Sequence, residues 1–194
     1  MTVAGLLLAA GAGRRYGMPK ALVRLGGGRL LVERAAQTLR EGGCDPVVVV
    51  LGAAADRVRA EASLGDAIVV ENPEWPTGMG SSLGRGLRAT LELGVQAALV
   101  LLVDLPGVTP AAVRRVAALA SPDALVMAGY GPRRGHPVLL GREHWAGVAA
   151  AATGDVGARP YLSAHAAAVR VVPCDDVADD RDVDTPEEHT GSHA

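Results

Sequence analysis

The chain has 194 residues, 49% of them apolar and 21% charged, with a formal charge of −2. That length suits one domain spanning 1–194, and the apolar fraction excludes a disordered chain while supplying a sizeable core. A slightly acidic balance offers no basic stripe to nucleic acid or to an anionic membrane surface, so neither is an expected partner.

In chain order, "VAGLLLA" (3–9) reads as a buried first strand that runs directly into a glycine-rich turn. It has no basic region before it, so a secretory leader is not expected. Helical spacing follows over 30–42 and ends at "REGG", then come strands over 46–52 and 67–71. A helix over 80–94, a strand over 97–104 and a helix over 109–120 continue the alternation. Thr109 is the expected N-cap of that last helix, with Pro110 in the first helical position. Two further strands are predicted over 123–128 and 168–173. Near-continuous apolar strands between amphipathic helices predict an α/β fold of three layers, a mostly parallel Rossmann-like sheet with helices on both faces. No apolar run reaches the roughly 18 to 20 residues of a membrane span. Cys44 and Cys174 lack C-x-x-C spacing and read as ordinary thiols, and a cytoplasmic protein is expected.

In such sheets, ligands bind beyond the carboxyl ends of the strands. Gly11, Gly13 and Gly17 stand in the loop after the first strand, where backbone N–H groups can close on an anion. The same loop carries Arg14, Arg15 and Lys20, and Lys20 is the only lysine beside eighteen arginines. The spelling "GMPKAL" lacks the Ser or Thr that follows the Walker lysine, and G-x-G-x-x-x-G misses the dinucleotide fingerprint by one residue. A phosphate-binding loop and a plain strand-to-helix turn both remain open from spacing alone. Asp104 ends the strand "ALVLLVD", where one carboxylate could recruit magnesium together with a phosphate chain, or else cap the next helix.

Further along, "NPEWPTGMGSSLGRGL" (72–87) places Gly78, Gly80, Ser81 and Ser82 at a helix start, with N–H groups available to anions or base edges. The segment 131–145 holds Arg133, Arg134 and His136 and could be a basic hairpin. Asp155 and Arg159 are four apart and could support each other along a helix. Near the end, "DDVADDRDVDTPEE" would read by itself as a solvated acidic surface.

"LAAGAGRRYGMPKAL" (8–22) resembles the signature L-A-A-G-x-(S/G)-x-R-x-G-x-P-K of nucleotidyltransferases related to MobA and MocA. Similar elements follow in the family's order from Leu8 to Glu188: D-x-P at Asp104, G-x-P-V-L at 135–139, G-D-x-G-A-R at 154–159 and "DVDTPEE" at 182–188. The resemblance implies that Arg14 and Lys20 hold the triphosphate, and that Leu8, Ala9, Ala10, Gly11 and Gly13 help enclose the nucleotide with Gly80, Ser81 and Ser82. It implies magnesium on Asp104 with Asp182 and Asp184, and a second substrate walled by Arg134, His136, Asp155 and Arg159. Pro19 and the Trp75 segment resemble the MocA type, which implies cytidine rather than guanosine.

The expected chemistry is attack by a phosphate monoester, such as molybdopterin, on the α-phosphorus of CTP with loss of pyrophosphate. Lys20 and Asp104 would then face each other across one cleft, on opposite sides of the metal-bound triphosphate. Competing readings are GMP transfer, another phosphorylated acceptor, a nicotinamide-dependent oxidoreductase on a related scaffold, and a non-catalytic carrier delivering cofactor to a molybdoenzyme client.

Overall fold

The computed structural model describes residues 2–24, 26 and 28–182. Its first strand, β1 (Val3–Ala9), is buried along its whole length. A run with no polar position needs strand neighbours on both sides and cover on both faces. It has them: β2 (Val47–Leu51) and β4 (Ala97–Leu102) flank it in parallel, and β3 (Ile68–Glu71) adds parallel to β2. Beyond β4 the direction changes. β6 (Arg133–Gly141) runs antiparallel between β4 and β5 (Leu125–Tyr130), and β7 (Arg170–Pro173) pairs in parallel with β5. The strand order is β3-β2-β1-β4-β6-β5-β7.

Alternating side chains feed two cores. On one face Leu7, Val49 and Leu99 pack with residues of α1 (Leu31–Glu41), α2 (Ala55–Glu61) and α4 (Pro110–Ala117). On the other, Leu6, Val50 and Val100 pack with α3 (Met79–Leu91), α5 (Trp145–Ala151) and α6 (Arg159–Ala164). Thr109 caps α4 as expected, accepting from Ala112 N, with Pro110 at the first position. Among the described residues, no helix is long and apolar enough to cross a membrane.

Three details of the sheet shape the site. β4 stops at Leu102, two residues short of the expected end, which frees Asp104 from the ladder. The segment after Gly131 forms the return arm of a hairpin, so the sheet is mixed at that end. Its pairing shifts between Met127 and Ala128, leaving His136 and Pro137 outside the β5 register. A proline has no N–H to give a ladder, so a bulge accommodates it.

Register then decides where loops emerge. Leu8 lies opposite Leu102 and Ala9 opposite Leu51, so the loops after β1, β2 and β4 leave one edge together. β6 enters the sheet from that same edge, since its later residue Val138 already pairs with Val100. After β7 the chain turns back, with Asp179 N donating to Gly107 O in the loop after β4.

Candidate active site

The loop after β1 is shaped by its own backbone. Gly13 adopts φ 61° and accepts through its carbonyl from Gly17 N at 2.9 Å. A Cβ on Gly13 would stand 1.9 Å from Met18 O, so glycine is required on both conformational and steric grounds. After Pro19 comes a short 3-10 turn over Lys20–Leu22, in which Ala21 and Leu22 are buried. That anchor fixes the lysine's backbone and sends its side chain toward β4.

Lys20 Nζ lies 2.9 Å from Asp104 Oδ2, and the two side chains are 14% and 20% exposed. Such a partly desolvated pair ties the two loops together without adding much net stability, because desolvation offsets the attraction. The expected juxtaposition across the chain is therefore present. It differs in one respect: the groups touch each other instead of standing apart. Asp104 Oδ1 is buried and has no hydrogen-bond partner among the described residues. A buried, unmatched carboxylate oxygen is costly, and a hard divalent cation with phosphate oxygens is the kind of ligand that would relieve it. The residues present thus fit the magnesium that the resemblance implies.

Both loops line one cavity of about 350 Å³, floored by Leu8, Ala10, Gly11, Gly13 and Arg14 and walled by Leu102, Val103 and Asp104. Its far wall comes from Trp75, Pro76, Gly78, Met79 and Ser82, at and before the start of α3. Gly78 has φ 114°, and a Cβ there would lie 2.4 Å from the carbonyl carbon of Gly154. This close approach lets Gly80 N donate to Gly154 O at 2.8 Å. Asp155 follows in the same loop, accepts weakly from Met79 N at 3.4 Å and lines the cavity.

The sequence-derived residues separate into two groups. Leu8, Ala10, Gly11, Gly13, Arg14, Lys20, Ser82, Asp104 and Asp155 share the cavity. Ala9 is turned into the opposite core, and Gly80 and Ser81 stand behind the wall rather than in it. Asp155, expected beside a second substrate, lines the same cavity as the glycine loop. It does not form a helical pair with Arg159, because α6 begins only at Arg159. Arg134 is exposed on the hairpin opposite Gly129, and Asp182 is exposed and is not among the residues lining the cavity. Asp184 lies outside the described residues.

His136 stands behind Asp104. Burial pushes its imidazole down to about 4, against the opposing pull of the Asp104 and Asp180 carboxylates, so the ring is neutral at pH 7. Its carbonyl accepts from the Tyr130 hydroxyl at 2.7 Å. Asp180, not singled out in the sequence, is only 9% exposed and sits 2.9 Å from the Arg133 guanidinium, an ion pair without hydrogen-bond alignment. The alternation of Asp180 with Asp182 and Asp184 was the available signal for it. Trp75 and Met79, which line the cavity, belong to the segment whose resemblance to the MocA type was its signal in the sequence.

The sequence profile of the MobA-like NTP transferase domain matches residues 5–174. Nicotine blue oxidoreductase of Paenarthrobacter nicotinovorans is 41% identical over 194 residues, covering 96% of this chain and 94% of that protein. A probable molybdenum cofactor guanylyltransferase of Opitutus terrae is 36% identical over 111 residues, 56% of this chain and 51% of its own length. Among solved structures, Rv0371c from Mycobacterium tuberculosis H37Rv superposes with a TM-score of 0.82 at 27% identity, covering 97% of this chain and 96% of that one. A second structure of Rv0371c is a complex with manganese, with TM-score 0.70, 25% identity and coverage of 89% and 88%. A profile that spans the sheet from β1 to the end of β7, on a fold whose loops converge as described, makes this chain a member of the MobA-like NTP transferase family.

Proposed function

We propose that the cavity binds a nucleoside triphosphate with a divalent cation, magnesium by expectation, and transfers its nucleoside monophosphate to a phosphorylated small molecule. CTP as donor and a molybdopterin-like acceptor are the favoured pair, with GTP the nearest alternative. The observation that carries this reading is the meeting of Lys20 and Asp104 on the cavity wall beside the glycine loop, with one Asp104 oxygen left unmatched. That a structure of the related Rv0371c is a complex with manganese supports a divalent cation as part of this reading.

In the reaction, an acceptor phosphate oxygen forms a bond to the α-phosphorus while the bond from that phosphorus to the bridging oxygen of pyrophosphate breaks. The phosphate nucleophile is already ionised, so no proton needs to be removed and positioning with charge neutralisation is the main task. A divalent cation, when bound, would neutralise phosphate charge as a Lewis acid. Lys20 would exchange its contact with Asp104 for the departing pyrophosphate oxygens. Arg14 and the loop N–H groups would hold the remaining phosphates, and the apolar wall from Trp75 to Met79 would exclude water. The molybdoenzyme that would receive the product belongs to the same proposal.

A second reading has a specific observation behind it, the full-length similarity to nicotine blue oxidoreductase. Under that reading the glycine loop would hold the pyrophosphate of a nicotinamide dinucleotide. The G-x-G-x-x-x-G spacing favours the first reading, because the dinucleotide fingerprint requires the third glycine one residue earlier. Incubation with each of the four nucleoside triphosphates, magnesium and molybdopterin, followed by pyrophosphate assay, tests transfer. A parallel NADPH titration tests hydride chemistry. Pyrophosphate release with silent NADPH supports transfer, and the reverse pattern replaces it.

A further inference from the structure

Asn72, immediately after β3, is 1% exposed, and its hydrogen bonds fix which way its amide faces. Glu74 N donates to Asn72 Oδ1 at 3.0 Å. A backbone N–H can only donate, so the atom facing it must be the oxygen and the other must be the NH2. Both amide protons are then used. Nδ2 donates to Ser81 Oγ at 2.9 Å and to Ser82 Oγ at 3.0 Å.

The two serines differ in where their own protons go. Ser81 has carbonyl acceptors at 2.8 Å from Gly78 and 3.0 Å from Glu74. Ser82 has no acceptor among the described residues, is 4% exposed, and lines the cavity beside Met79 and Trp75. A hydroxyl whose oxygen is engaged from behind by an NH2 cannot return its proton there. It is left as a donor facing the cavity.

We infer that Asn72 is a positioning residue for base recognition: its amide fixes Ser82 as a hydrogen-bond donor, so the cavity selects a ligand presenting an acceptor atom at that point. This inference rests on the nucleotide-binding reading of the cavity. On a nucleobase the partner is a ring nitrogen without hydrogen or a carbonyl oxygen, and cytosine offers both in N3 and O2. A site built to hydrogen-bond a ligand discriminates strongly against one that leaves its polar group unmatched.

The polarity can be reversed by one atom. Asn72→Asp removes both amide protons, so the Ser82 hydroxyl turns its proton back to the new carboxylate and presents a lone pair to the cavity. Calorimetric titration with magnesium, using CTP and inorganic triphosphate as probes, reads the result in the wild type, Ser82→Ala, Asn72→Asp and the double variant. Ser82→Ala is expected to weaken CTP binding about tenfold, the loss of one hydrogen bond, and Asn72→Asp to weaken it further. Adding Ser82→Ala to Asn72→Asp should then restore part of the affinity, because it removes a lone pair set against the base's acceptor. Inorganic triphosphate, which has no base, should bind all four proteins alike. Additive losses in the double variant, or equal losses for triphosphate, overturn the inference while leaving nucleotide binding intact. If Asn72→Asp does not fold, Ser82→Ala decides alone: a loss confined to CTP supports the inference and unchanged CTP affinity overturns it. A wild-type protein that binds triphosphate but no nucleotide refutes the nucleotide reading first, and the inference with it.

Discussion

Lys20 is the one place where a chain with eighteen arginines uses an ammonium, and its contact with Asp104 supplies a physical reason. A compact head on a flexible stem can shift between a carboxylate and a phosphate oxygen, whereas a guanidinium fork prefers one planar partner. Lys20→Ala should lower kcat by roughly 10² to 10³-fold, about 3 kcal/mol, the usual cost of losing a charge-stabilising donor. Nucleotide affinity should fall less. Lys20→Arg keeps the charge but not the geometry, and should stay below about a tenth of wild-type kcat; steady-state kinetics on the three proteins checks both points. His136 sets a pH dependence. Its folded value of about 4 lies below the usual histidine value near 6.5, so the fold prefers the neutral ring. Stability from that preference is present above pH 6.5 and is lost as pH falls toward 4. Urea unfolding with a chelator present should show the wild type losing about 3 kcal/mol more than His136→Gln across that window.

At the scale of elements, the far wall depends on the approach of the 153–157 loop to the start of α3. Gly78→Ala would force a Cβ against Gly154 at a φ of 114°, and should lower Tm by several degrees and weaken nucleotide binding together. Differential scanning calorimetry and titration on the one variant measure the two effects. That contact was not legible in the sequence, because a backbone bond from Gly80 N to Gly154 O leaves no residue-type signature. By contrast β1, β2 and β4 were legible because each is buried along nearly its whole length, and the Thr109-Pro110 cap marked α4 directly. β6 was hidden by its polar first half, Arg133 to His136, and by a proline that reads as a strand breaker. The helix α2 has only seven residues, too few for a clear period.

For the whole molecule, fold and chemistry meet at the carboxyl edge of the sheet. Parallel pairing of β1 with β2 and β4 delivers the glycine loop and Asp104 to the same place, and the antiparallel β6 brings His136 in behind them. The sequence pointed to that edge through strand-end residues, and so to most of the cavity floor. It could not show that Lys20 and Asp104 touch, since the two are 84 positions apart and joined only by register. Asp104→Asn, which keeps the shape but removes the charge, should leave the fold intact by circular dichroism and abolish any magnesium dependence of nucleotide binding.

The most direct test is pyrophosphate production from CTP and molybdopterin by the purified protein, with and without magnesium, run beside Lys20→Ala and Asp104→Asn. Nucleotidyl transfer requires magnesium-dependent release in the wild type and its near loss in both variants. Release that persists undiminished in either variant, or NADPH oxidation with no pyrophosphate at all, contradicts it.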